Sequence, residues 1–265
     1  MAARATTRYG TRVAYQHVEI ERQGPIARIW LTRPAVHNAL DATTLEELID
    51  ACHRLQVEFD VPVVVLGGRG PSFSSGADRK NPPARLAREP GTSARRRRYT
   101  AQLGRRVLEA IERLEAITIA RLHGHVIGAG VVLALGCDLR VAAASTRFAI
   151  PEVDLGIPLT WGAVPRLVRE VGAARAKELI LLCDRIDAAE ALRLGLVNRV
   201  VGDAELDGAV DGWAARLAAK PSWALHMTKT QFRAYGKAAV LGDVTEGDGD
   251  LLAAASAEDP TLFKR

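Results

Sequence analysis

Three short stretches of this chain combine glycine with residues able to handle charge or protons. The first, LHGHVIGAGVVLALGCDL from Leu122 to Leu139, passes from a β-type apolar run through Gly124, Gly128 and Gly130 into a small, apolar segment ending near Cys137. The second is GRGPSFSSGAD, Gly68 to Asp78, and the third is FAIPEVDLG, Phe148 to Gly156. In the first two, a main-chain N–H directly follows a glycine: Ala77 after Gly76, and Ala129 after Gly128. Glycine lets backbone approach a ligand closely. If both strand exits belong to one sheet, the two amides can converge on one oxygen, favouring an enolate or tetrahedral oxyanion over the neutral carbonyl that precedes it. The competing reading is a pair of tight turns.

The third stretch supplies the acid. Glu152 follows Pro151 and has apolar neighbours in Phe148, Ile150, Val153 and Leu155. Such surroundings raise a carboxyl pKa towards that of a working general acid or base; the alternative is an exposed acid at a strand end. Asp154 reads as a turn or helix-cap residue, and Asp78 as a loop support accepting backbone N–H bonds. His37, in AVHNAL, is expected to bond nearby backbone. His123 and His125 are two apart and would share a face of a strand, His123 fixing a loop and His125 facing a pocket. No third ligand has the spacing to complete a metal site with them, so both read as structural. Ser72, Ser74 and Ser75 lack a nucleophile-elbow sequence. The glycines of the second stretch match neither a dinucleotide fingerprint nor a P-loop.

The elements that must hold these residues follow from the pattern. Residues 15–21 and 26–31 read as a hairpin-like pair of strands, followed by a loop at RPAVHN. Asp41 can cap a helix running to about Phe59, with Leu45, Leu48, Ile49, Cys52 and Leu55 at helical spacing. VPVVVLGG reads as a strand covered on both faces. Residues 79–93 read as a loop or lid, and 94–114 as one helix. Strands follow at ITIARLHG, DLRVAAAS and RFAI. Helices are expected over 162–170, 173–182 and 187–193, then a short strand at LVNRVV, then helices over 204–219, 221–235 and 243–256. Strand–helix alternation followed by helices indicates an α/β core with a helical C-terminal part, whose helices are expected to pack on a neighbouring copy.

Composition sets outer bounds. With 265 residues, 48% hydrophobic and 25% charged, the chain suits one large domain, or one domain with a helical appendage. Cys52, Cys137 and Cys183 form neither a disulfide framework nor a zinc pattern, and read as reduced core residues. No apolar run reaches the roughly 20 residues of a membrane span, and the basic N-terminus lacks the apolar segment of a secretory signal. A cytoplasmic protein is the expectation. The net charge of +5 is unevenly placed, with ten Lys or Arg against the single acid Glu89 between Arg79 and Arg106. That segment is a solvated surface, an attractor for the phosphates of a small ligand, or a nucleic-acid contact. The last reading lacks an accompanying module.

Taken together, RPAVHNAL, GRGPSFSSGADRK, HGHVIGAGVVLALGCDLRVA and FAIPEVDLG with the later AAEALRLGLVNRVV resemble the enoyl-CoA hydratase/isomerase, or crotonase, superfamily from about Val18 to Val201. The resemblance implies an α/β spiral of ββα units, with a core over residues 1–200 and a C-terminal helical oligomerisation region over 201–265. It implies a homotrimer or a dimer of trimers acting on acyl-CoA thioesters. Coenzyme A enters as part of the substrate and no cofactor is held permanently; neither nucleic acid nor membrane is an expected partner. The family's two oxyanion amides fall on Ala77 and Ala129, flanked by Gly76, Asp78 and Gly128. The loop around Ala35 and His37 falls where relatives clasp coenzyme A, Lys80 is placed to face its phosphates, Trp161 is expected to reshape the acyl pocket, and His125, facing a pocket, is a further candidate for substrate contact. Of the two glutamates used by hydratases, one falls on Glu152 and the other on Val132, which cannot ionise. The single-glutamate isomerases of the family need only the first. The dienoyl-CoA isomerases carry an aspartate where this chain has Thr160. Double-bond isomerisation is therefore the expected reaction, with weak hydration, thioester hydrolysis or non-catalytic acyl-CoA binding as alternatives.

Overall fold

A computed structural model describes residues 14–83, 85 and 91–238. The expected helix over 243–256 and part of the expected lid, residues 84 and 86–90, lie outside the described residues. Nine strands are described: β1 (Val18–Gln23), β2 (Ile26–Leu31), β3 (Val63–Gly68), β4 (Ile117–Leu122), β5 (His125–Ile127), β6 (Leu139–Ala143), β7 (Arg147–Ala149), β8 (Ile186–Asp187) and β9 (Arg199–Val201). The helices are α1 (Ala42–Gln56), α2 (Ala94–Ala101), α3 (Leu103–Arg113), α4 (Ala129–Leu135), α5 (Ala163–Val171), α6 (Ala173–Leu181), α7 (Ala188–Arg193), α8 (Leu206–Ala218) and α9 (Ser222–Ala238).

The strands form two sheets. One has the order β1-β2-β3-β4-β6-β9, the other β5-β7-β8. β1 and β2 are the expected antiparallel hairpin, pairing Val18 with Leu31 and Gln23 with Ile26, while β2, β3, β4, β6 and β9 run parallel. Parallel pairing requires crossovers, and helices supply them. All six residues of β3 are buried, because its side chains divide between two cores. Val64 and Leu66 join the large cluster with Leu45, Leu48, Val107 and Leu108 of α1 and α3. Val63 and Val65 meet Leu206, Val210 and Ala214 of α8 on the opposite face. A strand covered on both sides has no polar face to show, which explains its unbroken apolar run.

Asp41 caps α1 as expected, accepting a hydrogen bond from the N–H of Thr44 at 2.8 Å. Two expectations need correction. Residues 94–114 are not one helix: the chain breaks at Gln102 between α2 and α3. α2 contains Arg95–Arg98 and buries only Thr100, whereas α3 buries Leu103, Val107, Leu108 and Ile111; an arginine run that must stay in water cannot continue along the core-facing axis of α3. The C-terminal helices do not all turn away from their own core, since α8 covers the outer face of the six-stranded sheet. α9 is tied to the same layer by the buried Lys229, whose Nζ donates to Ala116 O at 2.9 Å and pairs with Asp138 at 2.7 Å. Its Trp223, Met227 and Phe232 are exposed. Cys52, Cys137 and Cys183 are buried free thiols, and burial pushes Cys52 and Cys137 up to about 12. No helix among the described residues is long and apolar enough to cross a membrane.

Candidate active site

The segment 72–78 runs as an extended strip between two others. On one side Leu40 N–H donates to Gly76 O at 2.8 Å, and Asp78 N–H donates to Leu40 O at 2.8 Å. On the other, Ser74 N–H donates to His125 O at 3.0 Å, and Ile127 N–H donates to Ser74 O at 3.0 Å. These are single parallel bridges, Leu40 with Ala77 and Ser74 with Val126. They determine where the N–H of Ala77 points. In a trans peptide the N–H is directed opposite to the preceding carbonyl. The carbonyl of Gly76 faces Leu40, so the N–H of Ala77 faces the other way.

The second amide lies close by. A Cβ on Gly76, whose φ is +92°, would stand 2.7 Å from Ile127 O and 3.5 Å from the nitrogen of Ala129. Ala129 is the first residue of α4, so helix geometry leaves its N–H without an internal acceptor. The two strand exits are therefore packed against each other. Glycine is required at 76 by both the space and the backbone angle.

Glu152 enters the same space from the turn after β7. Gly128 N–H donates to Ala149 O at 2.8 Å, and Leu155 and Ile157 donate to Glu152 O at 3.1 and 3.0 Å, folding the turn back on itself. A Cβ on Gly128 would lie 2.6 Å from Glu152 Oε1. The other carboxyl oxygen, Oε2, is closed off from solvent and has no hydrogen-bond partner among the described residues. Burial raises the Glu152 carboxyl to about 7, partly offset by a bond to its own backbone. An acid at that value can both take and return a proton near neutrality.

The other expected site residues are distributed around this centre. Asp78 does support the loop: its Oδ1 accepts from Lys80 and Asn81 N–H at 3.0 and 2.9 Å, and its Oδ2 meets Arg33 at 2.9 Å. Ala35 lies in the short 3-10 turn Pro34–Val36, exposed like Lys80. His37 is corrected in one respect. Its Nδ1 faces the hydroxyl of Ser72 at 2.9 Å, a side chain rather than backbone, because Ser72 lies under the loop at that point. His123 and His125 do not share a strand face. Gly124, at φ +58°, turns the chain between them. His123 Nε2 bonds Gly70 O at 2.8 Å, fixing the loop as expected, whereas the ring of His125 meets that of His37 edge-on at 5.6 Å.

Trp161 takes a left-handed conformation, φ 62°, and its ring covers Gly104 of α3, where a Cβ would fall 1.9 Å from Trp161 Cδ2. Val132 is 2% exposed within α4 and belongs to the main core. Among the described residues no group of three or more His, Cys, Asp or Glu is arranged to hold a metal ion.

Sequence reasoning passed over the residues that brace the site. Asn38 is buried in a left-handed conformation; its Nδ2 donates to Arg69 O and Ser72 O, and its Oδ1 accepts from Arg33 N–H. The only sequence signal for it is an Asn beside a His in a loop, which favours αL. Arg33 bridges Asp41 at 3.5 Å and Asp78 at 2.9 Å, linking the cap of α1 to the loop carrying Ala77.

Comparison with known proteins agrees with the fold. The family model for enoyl-CoA hydratase/isomerase matches residues 21–260. A crotonyl-CoA hydratase of Syntrophomonas wolfei is 37% identical over 218 residues, 82% of this chain and 81% of that protein. An enoyl-CoA hydratase from Mycobacterium avium subsp. paratuberculosis superposes with a TM-score of 0.83 at 26% identity, covering 96% of this chain and 98% of the other. A putative enoyl-CoA hydratase from Thermobifida fusca, solved with acetoacetyl-CoA, gives a TM-score of 0.75 at 32% identity over 92% and 95% of the two chains. The α/β spiral with its C-terminal helices, the paired strand exits and this breadth of similarity lead to one statement: the chain belongs to the enoyl-CoA hydratase/isomerase, or crotonase, family, whose members act on acyl-CoA thioesters.

Proposed function

We propose that this protein isomerises the double bond of an enoyl-CoA thioester, with Glu152 as the sole proton carrier and the N–H groups of Ala77 and Ala129 as the oxyanion site. The thioester oxygen accepts from both amides. The Glu152 carboxylate removes a proton from C2 of a 3-enoyl thioester, and the electron pair delocalises onto that oxygen. The resulting carboxyl group returns the proton at C4 as the enolate collapses, leaving the double bond between C2 and C3. Atoms balance, and no water is consumed. The amides contribute because they meet the charge that develops and need not reorganise.

The observation that carries this reading is a carboxyl oxygen with neither solvent nor partner, beside Gly128 and the start of α4. Hydration requires a second group to hold and deprotonate water. The position at which the family resemblance sets the other hydratase glutamate is Val132, an apolar residue of the core. The hydratase names of several relatives favour water addition as the second reading. An acyl-CoA carrier would have the same amides but no use for an unpaired buried acid. Ala35, His37, Lys80 and His125 line the approach for the coenzyme A portion, and Trp161 borders the acyl group. The exposed Trp223 and Met227 of α9 support assembly with further copies of the chain, as a trimer or a dimer of trimers.

Glu152→Gln tests the assignment. The amide keeps the shape but cannot accept the proton, so turnover of a 3-enoyl thioester should fall by roughly 10³-fold or more. Acyl-CoA affinity, measured by calorimetry, should stay within about threefold. Undiminished turnover would remove Glu152 from the reaction. A protein that binds acyl-CoA tightly but turns over no enoyl thioester before the change would favour the carrier.

A further inference from the structure

The proposed reaction uses the N–H of Ala77 and of Ala129 but does not account for what holds the two loops in register. Ser74 is fully buried, at 0% exposure, and its N–H, carbonyl and hydroxyl each have a partner there. Its main chain is the bridge to Val126 described above. Its hydroxyl donates to Asn38 O at 2.9 Å and accepts from Gly76 N–H at 3.2 Å. A Cβ on Gly130 would lie 2.7 Å from Ser74 O and 3.1 Å from Ser74 Cβ. One residue therefore touches the N–H of Gly76, the residue before Ala77, and Gly130, the residue after Ala129.

The physical consequence concerns Gly76. At φ +92° it has no side chain to restrain it, and the direction of the Ala77 N–H depends on its two dihedral angles. Leu40 N–H holds its carbonyl and the Ser74 hydroxyl holds its N–H, so the residue is pinned at both ends. Alanine at 74 would keep both main-chain bonds but would free the Gly76 N–H and leave Asn38 O without its donor. Gly76 would then be held at its carbonyl alone, and the plane carrying the Ala77 N–H would lose one of its two restraints.

Resting on the enolate reading above, we infer that Ser74 is a positioning residue of the oxyanion site. Its hydroxyl, together with the Leu40 bond to Gly76 O, aims the Ala77 amide, and its backbone and Cβ set how closely the Ala129 loop approaches. It contacts neither substrate nor reacting atoms.

Acetoacetyl-CoA provides a readout that is independent of turnover, because its enolate absorbs in the near ultraviolet and two well-aimed amides lower the pKa of the bound ligand. The wild-type protein, Ser74→Ala and Ser74→Cys are each saturated with acetoacetyl-CoA and titrated with pH. For Ser74→Ala the apparent pKa of the bound ligand should rise by about one unit, and kcat on a 3-enoyl thioester should fall about tenfold with KM within about twofold. Ser74→Cys, which keeps a weak donor and acceptor of similar size, should lie between the two. A folded Ser74→Ala protein with the wild-type enolate fraction and kcat overturns the inference, whatever its melting temperature. If Ser74→Ala does not fold, a Ser74→Cys protein indistinguishable from wild type overturns it. Should the wild-type protein itself leave acetoacetyl-CoA no more enolised than in free solution, the oxyanion reading fails first and the role of Ser74 falls with it.

Discussion

A carboxyl group raised by burial affects stability before any substrate is bound. Glu152 is raised from 4.5 to about 7 in the folded chain. The folded state therefore holds this proton more tightly than the unfolded state does. The cost is absent below the ordinary carboxylate range, grows as pH rises between 4.5 and about 7, and is complete above that value. A shift of this size corresponds to up to ~3 kcal/mol. Glu152→Gln cannot ionise and avoids the cost. Denaturant unfolding should show the variant more stable than wild type at about pH 8, with the gap closing towards about pH 4.5. A gap independent of pH would mean that Glu152 is solvated. The burial of Glu152 was legible in its apolar neighbours, of which Phe148 and Ile150 are buried while Val153 and Leu155 are exposed, as were the glycines at 76 and 128 beside closely packed strand exits. The histidines were less legible. A strand pattern gives alternate residues one face, but Gly124 at positive φ sends His123 to Gly70 and His125 to His37, and local spacing carries no record of such a turn.

Among elements, α9 sends one buried side chain, among its described residues, into the layer beneath it. Lys229 lies with its side chain 3% exposed, pairing with Asp138 and donating to Ala116 O. Asp138 also accepts from Thr118 N–H and hydroxyl at 2.7 and 2.8 Å, so this carboxylate ties β4, the end of α4 and α9 together. Lys229→Met removes the charge and leaves Asp138 short of a partner. It should lower stability by about 2–4 kcal/mol and raise hydrogen exchange along α9 before the sheet opens; unchanged exchange there would show that α9 is held by other contacts. Helix boundaries were largely readable from apolar spacing and the Asp41 cap. The break at Gln102 was not, because a helical pattern that changes from arginine-rich to apolar still scores as helix when only periodicity is followed. Nor was the seat of Trp161 on Gly104. A lone glycine in a helix reads as weak propensity, and the ring that occupies its surface comes from a distant loop in left-handed backbone.

For the whole molecule, alternating strands and helices with an unbroken apolar β3 pointed to a covered parallel sheet, and that sheet is present with α1 and α3 on one face and α8 on the other. The division into two sheets, with β5, β7 and β8 set apart, was not evident, because strands of two or three residues carry too little pattern to assign. That small sheet matters most for chemistry: β5 leads to Ala129 and β7 leads to Glu152. Pairing them in parallel brings the proposed oxyanion amide and the proposed general base to the same end of that sheet, while the apolar Val132 stands where the proposed account needs no second acid. The most direct test is to give the wild-type protein matched 2-enoyl and 3-enoyl thioesters of several lengths, following double-bond migration and water addition separately. Migration from C3 to C2 should dominate, with hydration slower by roughly 10²-fold or more. Water addition to 2-enoyl thioesters at a rate equal to or above migration would contradict the single-carboxylate account.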